Sequence, residues 1–210
     1  MRYPDARILV FTKAPVIGEV KTRLIPALGK RGAADLYRRM LDHRLAGLGR
    51  SRLAPVELWC TPDVTHSFFE RMHRRHGVVL KRQEGPNLGV RMQQAAAEAL
   101  YEAGQVVLVG ADAPVLDAGK IEQALRYLVD GKGAVLGPAD DGGYVLLGLR
   151  RTNKSLFDDI PWGSDRVLAI TRARLQRLRW TWAELPMMWD VDRPADLERL
   201  AGLSGFADAL

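Results

Sequence analysis

Cysteine is nearly absent. Cys60 stands alone in 210 residues, which excludes an intramolecular disulfide and fits a reducing compartment. It ends the apolar run 56–60 and reads as a small core residue rather than a nucleophile. Long apolar runs are missing too: none approaches the ~20 residues that a membrane-spanning helix needs. The charged start, MRYPDAR, lacks an apolar signal core. A cytoplasmic protein with no membrane partner is expected. Histidine is scarce, and the four present show no metal-ligand spacing with cysteines or acids. With no internal repeat, low-complexity tract or Pro/Gly/Ser-rich linker, a single domain over 1–210 is the simplest organisation.

What is present is an ordinary globular composition, 47% hydrophobic and 27% charged, in a chain long enough to bury a substantial core. The 31 Lys+Arg exceed the 25 Asp+Glu, a formal net charge of +6. That balance favours anionic partners without choosing among nucleic acid, acidic membranes and phosphorylated small molecules. The cations are spread along the chain, and most read as solvated helix faces. No helix-turn-helix, zinc finger or aromatic RNA-stacking motif accompanies them, so nucleic acid is not the expected partner.

Short apolar runs alternate with helical patterns. Strands are expected at 7–12, 56–60, 78–80, 105–110, 134–136, 144–149 and 180–185. Helices are expected at 32–48, 65–76, 88–103, 118–130, 164–178 and 194–203. QVVLVG (105–110) is apolar throughout and should be central. The alternation predicts an α/β fold with a mostly parallel sheet and helices on both faces. In such sheets ligands bind beyond the carboxyl ends of the strands, so the chemistry should lie in the loop that leaves each strand.

After the first strand comes KAPVIGEVKTRL, with Lys13, Gly18, Lys21 and Arg23. A flexible turn carrying clustered cations suits a di- or triphosphate, although a charged surface loop would look the same. Val20 stands where a Walker A motif needs Gly, and no G-x-G-x-x-G succeeds the strand. After the central strand comes GADAPVL. Its Asp112 is placed to bind Mg²⁺ or Mn²⁺ or to serve as a turn former or cap. GPADDGGYVLLGL brings Asp140, Asp141, Gly142, Gly143 and Tyr144. The pattern suits close approach to sugar hydroxyls or a metal, but a D-G hairpin is favoured when the segment is taken alone.

Farther on, WDVDRPADLERL places Asp190 and Asp192 at alternate positions of an extended piece, so both can face one site, with Asp196 as a helix-cap residue. At the opening of the Ala-rich helix, Asn87, Gly89 and Arg91 suit a phosphate or base, with Asn87 equally a helix cap. Core packing is the expected role of the late tryptophans, although Trp162 and Trp189 lie in loops and also suit an acceptor pocket.

Taken together, FTKAPVIGEVKTRL (11–24), NLGVRM (87–92), GADAPVL (110–116), GPADDGGYVLLGL (137–149), PWGSDRVLAIT (161–171) and WDVDRPADLERL (189–200) resemble, in order and over nearly the whole chain, the GT-A nucleotide-diphospho-sugar transferase superfamily. Within it the chain looks like the small bacterial glycosyltransferases of arsenosugar-biosynthesis type. The resemblance implies a single GT-A (Rossmann-like) domain whose central mixed sheet is parallel except for one strand. It implies Lys13, Gly18, Lys21, Arg23, Asn87, Gly89 and Arg91 at the nucleotide and its phosphates, and a divalent Mg²⁺ or Mn²⁺ on Asp112 and Asp192. It places Asp140, Asp141, Gly142, Gly143, Tyr144 and Asp190 around a sugar or acceptor, with Asp141, Lys21 and Arg23 in catalysis. Two departures stand out: Ala111 and Ala113 flank Asp112, leaving no literal D-x-D, and Gly163-Ser164 replaces the family's Trp-Ser-Thr.

The implied activity is metal-dependent glycosyl transfer from a nucleotide-diphospho-sugar to a small-molecule acceptor, with room for a homodimer. An alternative is nucleotidyl transfer from a nucleoside triphosphate to a phosphorylated small molecule, since K-T-R-L is similar to the first loop of phospholactate guanylyltransferases. A non-catalytic nucleotide- or nucleic-acid-binding protein is the alternative of another class.

Overall fold

The computed structural model describes residues 1–206; residues 207–210 of the expected domain lie outside the described residues. Seven strands form one sheet: β1 (Ala6–Lys13), β2 (Val56–Thr61), β3 (Val79–Arg82), β4 (Gln105–Gly110), β5 (Ala134–Pro138), β6 (Tyr144–Leu149) and β7 (Trp182–Glu184). Six α-helices flank them among the described residues: α1 (Ile25–Ser51), α2 (Ser67–His76), α3 (Leu88–Glu102), α4 (Ala118–Val129), α5 (Val167–Arg177) and α6 (Pro194–Ala201). The sheet order is β3-β2-β1-β4-β6-β5-β7. Only β6 runs antiparallel to its neighbours, β4 and β5. The expected α/β fold with a mixed, mostly parallel sheet is the observed one.

Each central strand alternates its side chains between two cores. Ile8, Val10, Val107 and Val109 join one core with residues of α1, α2, α4 and α6. Leu9, Val106 and Leu108 join the other with α3 and α5. A strand buried on both faces has no polar side to show, which is why QVVLVG is apolar throughout. The order also puts β1 and β4 side by side in the middle of the sheet, so the loops after them open at the same edge. No helix among the described residues is long and apolar enough to cross a membrane.

Several boundaries differ from expectation. The long helix begins at Ile25 rather than 32, broken inside by Gly29 (φ 69°, ψ 168°), where a residue lacking Cβ accepts a non-helical turn. The fifth helix starts at Val167, not 164, because Pro161–Arg166 is spent in turns around Gly163 (φ +84°). The last strand is only Trp182–Glu184. The D-G segment is the hairpin its local pattern suggested: Gly142 N–H donates to Ala139 O at 3.1 Å and Ala139 N–H to Gly143 O at 3.0 Å, joining β5 to β6.

Candidate active site

The loop after β1 supplies the cations. Lys21 adopts left-handed backbone angles (φ 47°, ψ 44°) ahead of the helical turn Thr22–Leu24. A non-glycine residue held there carries local strain that its surroundings must offset. The return is placement: the Lys21 side chain is 7% exposed, and Nζ donates to Asp112 Oδ2 at 2.9 Å. From the same turn, Arg23 Nη1 donates to Asp192 Oδ2 at 2.5 Å. Beneath the loop, Tyr37 of α1 fastens the end of β1, its hydroxyl accepting from Lys13 N–H at 2.9 Å and bonding Thr12 Oγ1 at 2.9 Å.

The acids come from three further segments. Asp112 lies just past β4, and its backbone O accepts from Val191 N–H at 2.9 Å, which ties the late acidic segment beside it. Asp190 lines a cavity of about 240 Å³ together with Asp112 and Asp141. Asp192 faces Arg23 instead. Asp196 accepts from the N–H groups of Asp192 and Arg193 at 2.9 and 2.7 Å, the cap role read from its position. Asp141 Oδ1 accepts from Gly143 N–H at 2.8 Å, an Asx turn that fixes its carboxylate at the cavity rim.

Burial, Asp112 first among the neighbours, and then Asp141 and Asp192 push the Asp190 carboxyl up to about 6, with Lys21 opposing. At Asp112 burial also acts upward, but the Lys21 ammonium and then Arg44 outweigh it and hold the carboxyl below its ordinary value. Lys21 itself is lowered by burial and raised further by Asp112, Asp190 and Asp192, with a net rise. The ammonium is therefore the counter-charge of an acidic cluster.

Not every expected residue joins this site. Asp140 pairs with Arg199 at 3.0 Å, and its neighbour Asp141 is the one that lines the cavity. Lys13 is exposed and donates to Glu19 O of its own loop at 3.1 Å, with Gly18 (φ +87°) bending that loop between them. Asn87 caps α3, accepting from Val90 N–H at 3.0 Å. Arg91 reaches Gly85 O at 2.8 Å and Thr61 Oγ1 at 3.5 Å, at the ends of β2 and β3.

Two glycines expected to admit a ligand admit the protein instead. A Cβ on Gly89 would stand 2.5 Å from Trp162 Nε1 and 2.6 Å from Phe157 O. One on Gly142, whose φ is +87°, would stand 2.2 Å from Asp165 O. Both are bare because the 157–165 segment crosses them. Of the two loop tryptophans, Trp162 lines the cavity, in edge contact with Tyr144 at 6.3 Å. Trp189 is not part of that lining and lies under the Arg199 guanidinium at 4.3 Å.

Sequence reasoning does not single out Arg44. It is 7% exposed, and its two Nη atoms donate to Ala113 O and Leu116 O, pinning the loop that carries Asp112. A signal exists: Arg44 falls on the apolar stripe of Met40, Leu41, Leu45 and Leu48, where a solvated arginine has no place. Gln83 escapes sequence reasoning too; its buried amide donates to Thr12 O at 3.0 Å and Trp59 O at 2.7 Å, joining the ends of β1 and β2.

The model of the family described as "uncharacterized protein conserved in bacteria (DUF2064)" matches residues 44–164. The chain belongs to the DUF2064 family. This DUF2064 chain is similar to a solved protein of Desulfovibrio desulfuricans G20, provisionally described as a nucleotide-diphospho-sugar transferase: 33% identity over 97% of this chain and 90% of that one, TM-score 0.86. Likeness in fold alone extends to a cytidylyltransferase of Leptospira borgpetersenii serovar Hardjo-bovis (14% identity, 99% and 92% covered, TM-score 0.62). It extends as well to glucosyl-3-phosphoglycerate synthase of Mycobacterium tuberculosis, solved with Mn²⁺, UDP and glucosyl-3-phosphoglycerate (11% identity, 94% and 75% covered, TM-score 0.54). No curated protein matches the sequence. The DUF2064 chain has the GT-A fold of nucleotide-diphospho-sugar transferases.

Among the described residues, no three or more His, Cys, Asp or Glu side chains are gathered in a metal-holding group. The expected pair, Asp112 and Asp192, is divided between two protein cations, Lys21 and Arg23, since crowded carboxylates need counter-charge. Asp112, Asp190 and Asp192 carry oxygen donors of the kind a hard divalent ion takes, and the cation they act on in this structure is the Lys21 ammonium.

The raised Asp190 carboxyl has a consequence for stability. A carboxyl whose folded value lies above its unfolded one favours the fold while protonated, so that contribution is present below pH ~4 and lost as pH rises through about 6. A two-unit shift corresponds to ~3 kcal/mol, and partial exposure reduces this to ~1–2 kcal/mol. Asp190→Asn in chelator is expected to match the wild type at pH 4 and exceed its stability by that amount at pH 8, measured by urea unfolding. Equal stability at pH 8 would contradict the crowding.

Proposed function

We propose that the protein transfers a sugar from a nucleotide-diphospho-sugar to a small-molecule acceptor. One observation carries the reading: Lys21 and Arg23, on one turn, are ion-paired with Asp112 and Asp192, from segments far apart in sequence, and Asp112 also lines the cavity. Two cations whose partners are carboxylates can exchange them for phosphate oxygens of like charge and geometry.

In the reaction, Asp141 at the rim takes the proton of the acceptor hydroxyl. The acceptor oxygen bonds to the anomeric carbon, the bond from that carbon to the phosphate oxygen breaks, and its electron pair leaves with the nucleoside diphosphate. Lys21 and Arg23 neutralise the charge that gathers on that leaving group. A divalent Mg²⁺ or Mn²⁺ held by Asp112, Asp190 and Asp192 would supply further neutralisation of the diphosphate. The motif order shared with arsenosugar-type glycosyltransferases supports this reading, and the single cysteine supports a cytoplasmic setting.

The test is a thermal-shift screen with UDP-, GDP-, CDP- and dTDP-sugars, GTP and CTP, each with Mg²⁺, Mn²⁺ or chelator. A ligand at 100 times its Kd adds ~2.7 kcal/mol to stability. Metal-dependent stabilisation by one nucleotide-sugar is the expected result. Stabilisation by a triphosphate alone, with pyrophosphate released on turnover, would replace glycosyl with nucleotidyl transfer.

A further inference from the structure

The cavity beside the acids is walled by Phe11, Met92, Leu108, Tyr144, Leu147 and Trp162. The indole nitrogen of Trp162 is turned against Gly89, and the Tyr144 ring meets that indole edge-on at 6.3 Å. Apart from the three acids and Tyr144, Ser164 is the only hydroxyl or charged side chain in the lining. The three acids act on one another, so the charge of the lining is gathered in one part of it. A polyol placed against the apolar walls would leave hydroxyls without partners, at ~1–3 kcal/mol each. A hydrocarbon body has no such cost and replaces water along those walls.

We infer that this chamber takes the acceptor, and that the acceptor is an alcohol with a compact hydrocarbon body, aromatic or branched aliphatic, whose single reactive hydroxyl points to Asp141. The inference deepens the glycosyl-transfer reading and rests on it for the word acceptor; the binding preference stands on the walls alone. Size sets a bound. An apolar cavity of ~150 Å³ accommodates benzene, so about 240 Å³ admits a benzyl- or isopentenyl-sized body but not a long chain folded inside.

The probes are benzyl alcohol and 3-methyl-2-buten-1-ol against glucose and glycerol, titrated into the full-length protein and monitored by tryptophan fluorescence and ligand-observed NMR. Saturable binding of the two apolar alcohols, with none by glucose or glycerol at equal concentration, is the expected result. Met92→Gln, which keeps length but adds an amide to the wall, should weaken the apolar alcohols by about tenfold. Trp162→Ala should do the same by removing one side, and Met92→Gln should retain any shift produced by a nucleotide. Glucose or glycerol binding as well as the apolar alcohols overturns the inference. So does apolar binding that neither variant weakens, or no alcohol binding at all. A nucleotide shift without alcohol binding defeats this inference and leaves the donor reading standing; alcohol binding without a nucleotide shift does the reverse.

Discussion

Asp112→Asn is expected to lower turnover of the donor identified by the stabilisation screen by about 10²–10³-fold, the loss typical of removing one preorganised charge from a reaction centre. The same change unbalances the fold. Lys21, 7% exposed, would lose the partner at 2.9 Å that holds it charged. Stripping one member from a buried pair costs ~3–5 kcal/mol. Here the loss should be nearer ~2 kcal/mol, because Asp190 and Asp192 still act on the ammonium and Asp112 is partly exposed.

Activity and stability can be separated with the double variant Lys21→Met/Asp112→Asn. It removes the stranded charge, so urea unfolding should recover most of the lost stability while turnover stays low. Asp112→Asn retaining a tenth or more of wild-type turnover would remove Asp112 from the reaction centre. Recovery of turnover in the double variant would show that the defect was one of folding.

The second large effect is expected far from the reacting atoms. Arg44→Met should destabilise the protein by ~3–5 kcal/mol, because two carbonyls that the guanidinium serves would be left without donors in the interior. Those carbonyls belong to Ala113 and Leu116, so the loop that aims Asp112 loosens at the same time. Burial draws the Arg44 side chain down to about 10, against the pull of Asp112 and Asp117, and it remains charged at neutral pH. Arg44→Lys should recover only part of the stability, since one ammonium on a flexible stem cannot bridge both carbonyls as a planar fork does. Urea unfolding of the two variants measures both effects. A loss below ~1 kcal/mol in Arg44→Met would mean that the loop is held by other contacts.

Much of the site is legible in the sequence because it hangs on local pattern. QVVLVG marks a strand covered on both faces, and an acid two residues past its end must lie at the ligand edge of a parallel sheet. Alternation puts Asp190 and Asp192 near one another, but it does not say that Asp190 lines the cavity while Asp192 pairs with Arg23. Arg44 is half legible: its position on an apolar stripe announces a buried cation, but nothing nearby in sequence names Ala113 O or Leu116 O as its partners. Asp140 and Asp141 cannot be told apart by sequence, since the two differ only in which way a hairpin turn points them.

The chain's own sequence determined the layered α/β plan, the central place of β4 and the position of Asp112 beyond it. Each results from side-chain period over a few residues. Tertiary structure alone decided that Lys21 meets Asp112 across 91 residues and Arg23 meets Asp192 across 169. It alone decided that Gly89 and Gly142 are bare for the sake of Trp162 and Asp165 rather than a ligand. The physical reason is one of range: periodicity is written into neighbouring residues. Counter-charge and close packing depend on which distant segments the sheet order brings to the same edge.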